Sequence, residues 1–130
     1  MESRELKTIL YAEDEDDIRV IAQIALEDIG GFTVHYCSDG SVALETAKHI
    51  TPDLLLLDVM MPEMDGPTTL KNLRKMKDYS AIPAIFMTAK IQANEIAEYK
   101  ALGAIDVIAK PFDPMTLAEG IKKVWAKHYG

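Results

Sequence analysis

Four consecutive leucines, Leu54, Leu55, Leu56 and Leu57, run without interruption into an aspartate, Asp58. Thr51-Pro52-Asp53 precedes them, and Val-Met-Met-Pro-Glu-Met-Asp-Gly follows. An unbroken apolar run between turn signals reads as a strand covered on both faces, the kind found inside a parallel sheet. In open α/β sheets the binding crevice lies just beyond the carboxyl ends of the strands, so Asp58 occupies a place where chemistry is done.

The rest of the chain fits around that strand. Thr8–Ala12 is a short apolar run that stops at Glu13-Asp14-Glu15-Asp16-Asp17, after which Ile18, Ile21, Ala22, Ala25, Leu26 and Ile29 recur at helical spacing. Gly30-Gly31 supplies a stop, and residues 32–37 are β-prone. Ser38-Asp39-Gly40-Ser41 offers N-cap chemistry for a helix to about residue 50, closed by Pro52. Beyond the leucine strand, Asp65-Gly66-Pro67 caps a helix that carries Leu70, Leu73 and Met76 inward. Residues 82–87 read as a fourth strand with Pro83 at its entrance, about 92–102 as a helix stopped by Gly103, and 105–109 as a fifth strand. Asp113-Pro114 opens a last helix that buries Leu117, Ile121, Val124 and Trp125. Strand and helix thus alternate five times over short connections. The prediction is a flavodoxin-like, doubly wound α/β fold, with five parallel strands in the order 2-1-3-4-5 and helices on both faces.

A chain of 130 residues, 48% hydrophobic, suits one domain over residues 1–130. Its net charge of −7 argues against direct binding to nucleic acid or to an anionic membrane surface, and favours cationic or metal partners. Cys37 is the one cysteine, so an internal disulfide and a thiolate metal site are both excluded, and a reducing compartment is expected. The N-terminus lacks an apolar signal region, and no stretch approaches the roughly 18 apolar residues of a membrane span. A cytoplasmic protein follows.

The strand ends collect a particular set of groups: Glu13 and Asp14 after the first, Asp58 after the third, Thr88 after the fourth and Lys110 after the fifth. Strand order 2-1-3-4-5 sets the first and third strands side by side, so three carboxylates meet in one crevice. Two such charges about 4 Å apart repel by about 4 kcal/mol at an effective dielectric near 20, and the cluster therefore needs a counter-ion. A hard divalent cation, Mg²⁺ or else Mn²⁺, suits oxygen ligands such as Asp14 and Asp58. A hydroxyl and an ammonium are what remains to hold phosphoryl oxygens beside the metal. Together these groups describe phosphoryl transfer onto an aspartate.

Ala12-Glu13-Asp14, the run from Leu57 through Asp58, Val59, Met60, Met61, Pro62, Glu63, Met64 and Asp65 to Gly66, Thr88-Ala89, and Lys110-Pro111-Phe112 carry a resemblance. In this order and spacing the chain resembles, along its full length, the receiver domain of two-component response regulators, in the manner of the stand-alone, CheY-like members. The resemblance implies that Asp58 is the phospho-acceptor, Asp14 a metal ligand, Glu13 a carboxylate acting through a metal-bound water, and Met60 a ligand through its backbone carbonyl. Thr88 would bond one phosphoryl oxygen and Lys110 pair with another, across a cis Lys110-Pro111 peptide. The implied partners are a sensor histidine kinase or a histidine phosphotransfer protein, and a downstream target that the sequence does not name. Such a protein catalyses its own phosphorylation and dephosphorylation and has no independent substrate. The last two helices and last strand, with Tyr99, Asp106 and Trp125, would offer a partner or weak-dimer surface on an otherwise monomeric protein.

Three positions depart from or tune that pattern. Glu13 stands where the family usually has Asp, one methylene shorter. Val107 stands where many members carry an aromatic ring that swings inward on activation, so rearrangement here would rest on Thr88 and the backbone near Lys90. Met60 and Lys90 hold the positions that set the lifetime of the acyl phosphate. An apolar Met60 offers the attacking water no hydrogen bond, while Lys90 can shield a phosphoryl charge of about −1.5 to −2. A long-lived adduct is expected.

Other readings fit less well. Glu15, Asp16 and Asp17 are accounted for by a helix N-terminus, and the acidic loop lacks the sixth-position Gly and twelfth-position Glu of an EF-hand. A haloacid-dehalogenase-like phosphatase needs a second acid where this chain has Met60, and a flavin mononucleotide carrier needs a first loop that accepts phosphate, which Glu13-Asp14 would repel. His35, His49 and His128 match no metal spacing and read as surface residues. A receiver-like binding module that works without phosphorylation is the alternative that Val107 keeps open.

Overall fold

The leucine run and Asp58 form a central strand that is buried at every position in the computed structural model, which describes residues 5–129. The strands are β1 (Thr8–Ala12), β2 (Thr33–Cys37), β3 (Leu54–Asp58), β4 (Ala84–Thr88) and β5 (Asp106–Ala109). They pair in parallel in the order β2-β1-β3-β4-β5, as expected for the flavodoxin-like fold. The helices are α1 (Asp16–Gln23), α2 (Gly40–Ala47), α3 (Gly66–Leu73), α4 (Ala93–Ala101) and α5 (Leu117–Tyr129). Alternation along β3 splits the leucines between two cores. Leu55 and Leu57 join Leu10, Phe86, Leu70 and Leu73 on the side of α2 and α3, whereas Leu54 and Leu56 join Tyr11, Leu26, Ile121 and Trp125 on the side of α1 and α5.

Register then fixes the strand ends. Ala12 is level with Leu57, Asp58 with Met87, and Thr88 with Ala109, so Glu13, Asp58, Thr88 and Lys110 leave the sheet at one rim. The amide of Glu13 donates to the Cys37 carbonyl at 3.0 Å, which carries the β1–β2 ladder one residue past the strand.

Several boundaries differ from the sequence reading, each for a local reason. The first helix widens into a π-helical stretch at Ile24–Ile29, and both Ile21, before it, and Ile29, at its end, are exposed. The same widening brings Gly30 against α5, where an added Cβ would lie 2.8 Å from the Ala118 Cβ. Gly31, at φ 76°, is the residue that ends the helix. Asp39 caps α2 by accepting from the Val42 amide at 2.9 Å, and that helix stops at Ala47, short of residue 50. Helix α3 ends at Leu73, and Met76 packs half-buried in the following turn. Arg74 steers that turn, its Nη1 donating to the carbonyls of Tyr79 at 2.7 Å and Ile82 at 2.6 Å. Asp113 and Pro114 do not begin α5. Asp113 organises a turn instead, its Oδ1 accepting from the Met115 amide at 2.8 Å, and the helix starts at Leu117.

Trp125, 6% exposed in the α1–α5 core, is buried as expected of the last helix, and so does not reach the partner face that the resemblance also gave it. Tyr99 is only half-buried, with its ring edge-on to Phe86 at 5.5 Å. Asp106 pairs with Lys100 at 3.9 Å. His49 and His128 are exposed, but His35 is half-buried in β2. Cys37 is buried, and that burial pushes its thiol up from the ordinary value. Among the described residues no helix is long and apolar enough to cross a membrane.

Candidate phospho-acceptor site

The rim gathers all the groups picked out at the strand ends. Asp58 ends β3 at 2% exposure, and Lys110 reaches it from the end of β5 with Nζ 3.2 Å from Oδ2. The same Nζ donates to Glu13 Oε1 at 2.8 Å. Lys110 is held there by its own amide, which donates to the Thr88 carbonyl at 3.0 Å, and the Lys110-Pro111 peptide is cis as the resemblance implied.

Glu13 is fully buried and held at each oxygen. Tyr11 donates its phenol to Oε1 at 3.3 Å, the Glu15 amide donates to Oε2 at 3.3 Å, and Arg19 fixes the loop by donating to the Glu13 carbonyl at 2.6 Å. Arg19 also pairs with Asp16. Tyr11 and Arg19 are the site residues that sequence reading missed. Tyr11 passed as one apolar residue of a strand, although two-residue spacing from Glu13 put both on one side of the sheet.

Charge is badly balanced here. Oxygens of Glu13, Asp14 and Asp58 all lie within 4.8 Å of one another, and the Lys110 ammonium pairs with two of the three carboxylates, Glu13 and Asp58. Burial, and then the Glu13 charge, push the Asp58 carboxyl up to about 7 against the opposing pull of Lys110. For Lys110 burial acts downward, but the Glu13 hydrogen bond and the two carboxylates outweigh it, so the ammonium is held above its ordinary range. Burial and the nearby Glu13 charge likewise raise the Tyr11 phenol.

Asp14 shows what the cluster lacks. Its Oδ1 is buried and has no hydrogen-bond partner among the described residues. A buried carboxylate oxygen without a donor is costly, and a hard cation between it and Asp58 would satisfy both. The donor set, all oxygen and rich in carboxylate, fits Mg²⁺ or Mn²⁺.

Thr88 is 2% exposed, and its Oγ1 accepts from the Lys90 amide at 3.1 Å, which uses a lone pair and leaves the hydroxyl hydrogen for an incoming oxygen. Lys90 and Met60 stand at the mouth, with Met60 66% exposed. Val107 lies half-buried in β5, two pairs below Thr88 and level with Phe86. The loop that carries Met60 is drawn in by Gly66, whose amide donates to the Val59 carbonyl at 2.9 Å. A Cβ at Gly66 would sit 2.4 Å from the Asp58 carbonyl oxygen, so only glycine lets α3 start this close to the acceptor strand.

Comparison with known proteins agrees with this arrangement. A family model for the response regulator receiver domain matches residues 9–122. The chain is 37% identical over 116 residues to the transcriptional regulatory protein CseB of Streptomyces coelicolor, which covers 89% of this chain and 48% of that protein. It is 37% identical over 118 residues to the alkaline phosphatase synthesis transcriptional regulatory protein PhoP of Bacillus subtilis, covering 91% and 48%. The chain thus spans about half the length of these relatives. Among solved structures, the chemotaxis protein CheY4 of Vibrio cholerae superposes with a TM-score of 0.84 at 31% identity, over 92% of this chain and 99% of that one. The match takes in every residue from Glu13 to Lys110 described above, and the chain belongs to the response regulator receiver domain family.

Proposed function

We propose that this chain is a phosphorylation-driven signalling switch, in which a phosphohistidine donor transfers its phosphoryl group to Asp58. The observation that carries the reading is the pairing of Asp58 with Lys110 on one side and with the partnerless buried oxygen of Asp14 on the other. An Asp58 oxygen forms the new bond to phosphorus as the phosphorus–nitrogen bond of the donor breaks, and the electron pair stays with the leaving imidazole. Asp14, Asp58 and the Met60 carbonyl would hold Mg²⁺ or Mn²⁺, with Glu13 reaching it through water. The ion supplies positive charge opposite the phosphoryl oxygens. Lys110 pairs with one of these oxygens and the Thr88 hydroxyl donates to another. Water later attacks the phosphorus and Asp58 departs as carboxylate.

On this reading the donor is a sensor histidine kinase or a histidine phosphotransfer protein, as membership of a two-component family supports. The chain acts on itself without a separate substrate, works in the cytoplasm, and passes its state on through changed affinity for a partner. Intact mass after incubation with acetyl phosphate and Mg²⁺ tests it. A gain of one phosphoryl group is expected, absent in Asp58→Ala and in excess EDTA. No gain, together with no binding of beryllofluoride, would leave a module that binds its partner without phosphorylation.

A further inference from the structure

Glu13 Oε1 receives two donors of unequal strength. Lys110 Nζ is 2.8 Å away, while the Tyr11 hydroxyl, at 3.3 Å, is well beyond the roughly 2.5–2.7 Å of a strong O–H···O⁻ bond. In the resting protein the lysine therefore does most of the holding. Lys110 also stands 3.2 Å from Asp58, the group that gains charge when it is phosphorylated. As the ammonium turns toward the phosphoryl oxygens, Glu13 loses its nearest donor. Glu13 is fully buried, so bulk water does not replace that bond, and the metal-bound water proposed above would serve Glu13 beside its protein donors rather than in their place. Among the described residues, Tyr11 is the other side chain that donates to that oxygen.

We propose that Tyr11 is a positioning residue that takes over Glu13 when Lys110 moves to the phosphoryl group. The inference rests on the phospho-acceptor reading above. Tyr11 is suited to the task because it is fully buried and braced. Its ring meets Tyr36 edge-on at 6.0 Å, and the Tyr36 hydroxyl donates to Glu27 Oε2 at 3.2 Å. A hydrogen bond that is weak at rest and strong in the phosphorylated state shifts the equilibrium toward the second. Tyr11 thus lowers the cost of releasing Lys110 without touching the phosphoryl group.

Tyr11→Phe keeps the ring and removes the donor. Beryllofluoride with Mg²⁺, followed by calorimetry, should bind the variant about tenfold more weakly than the native protein. The melting temperature of the resting protein should stay close to native. In a Glu13→Gln background, where no charge needs the phenol, the same Tyr11→Phe change should have no effect on beryllofluoride affinity. The ¹³Cζ resonance of Tyr11 in the native protein gives a second readout, and it should move downfield on beryllofluoride binding as the bond tightens. Equal affinities in the presence of Glu13, or an unmoved Tyr11 resonance, would overturn the proposal and leave the phospho-acceptor reading standing. Failure of the native protein itself to bind beryllofluoride would overturn both.

Discussion

Lys110 serves two carboxylates at once, and this sharing shows why the site residues were readable while their mutual contacts were not. Glu13, Asp14, Asp58, Thr88 and Lys110 announce themselves because each ends an apolar run, and strand register carries them to one rim. Which oxygen each donor chooses depends on side-chain reach, which spacing does not encode. The extra methylene of Glu13 lets its carboxylate meet Lys110 and Tyr11 together. Met60 is a simpler case, since its side chain is exposed and bonded to nothing that shapes the core. If Asp58 is phosphorylated as proposed, Met60→Asn puts an amide where the hydrolysing water would approach. Decay of the adduct, followed by intact mass over time, should speed up by about tenfold. Equal lifetimes would show that the Met60 side chain does not govern hydrolysis.

At the scale of elements, the strands were legible to within a residue or two, and helix ends were less so. A buried strand is bounded by the end of its apolar run, whereas a helix end depends on how it packs. The π-helical widening before Gly30 goes with a close approach to Ala118 on α5, a contact between distant segments that local periodicity does not contain. Gly66 is similar. Asp65-Gly66-Pro67 advertised a helix start, but not that the helix begins in contact with the backbone of Asp58. A methyl group there meets carbonyl and Cα atoms, which cannot swing aside. Gly66→Ala should cost roughly 1–3 kcal/mol in urea melts and slow phosphorylation by acetyl phosphate. Native stability in that variant would mean that the loop relocates freely.

For the molecule as a whole, the acceptor is a liability to the resting fold. Burial and the Glu13 charge hold the Asp58 carboxyl near about 7, above its value of about 3.9 in an unfolded chain. Between those values the folded protein binds more protons than the unfolded one, so this group makes stability fall as pH rises from about 4 to about 7, with the loss complete above that. Asp58→Asn removes the charge. In EDTA the variant should gain roughly 1–3 kcal/mol on the native protein between pH 5 and pH 8, read from denaturant melts at each pH. The lowered carboxyls of Asp39 and Glu45 act in the opposite sense, but equally in both proteins, and drop out of the comparison. A constant margin would show that the acceptor is not strained by its neighbours.

The bond between Lys110 and Glu13 joins residues 97 apart in sequence, across a sheet whose β1, β3, β4 and β5 must first align. Closing so long a loop yields nothing until the intervening strands are in register. A nascent chain emerging from the ribosome can therefore present Asp58, but it lacks Lys110, the lysine that pairs with it, until β5 has been made. On the proposed reading, competence to be phosphorylated arrives late in biogenesis, after most of the core is in place, and half-made copies are silent.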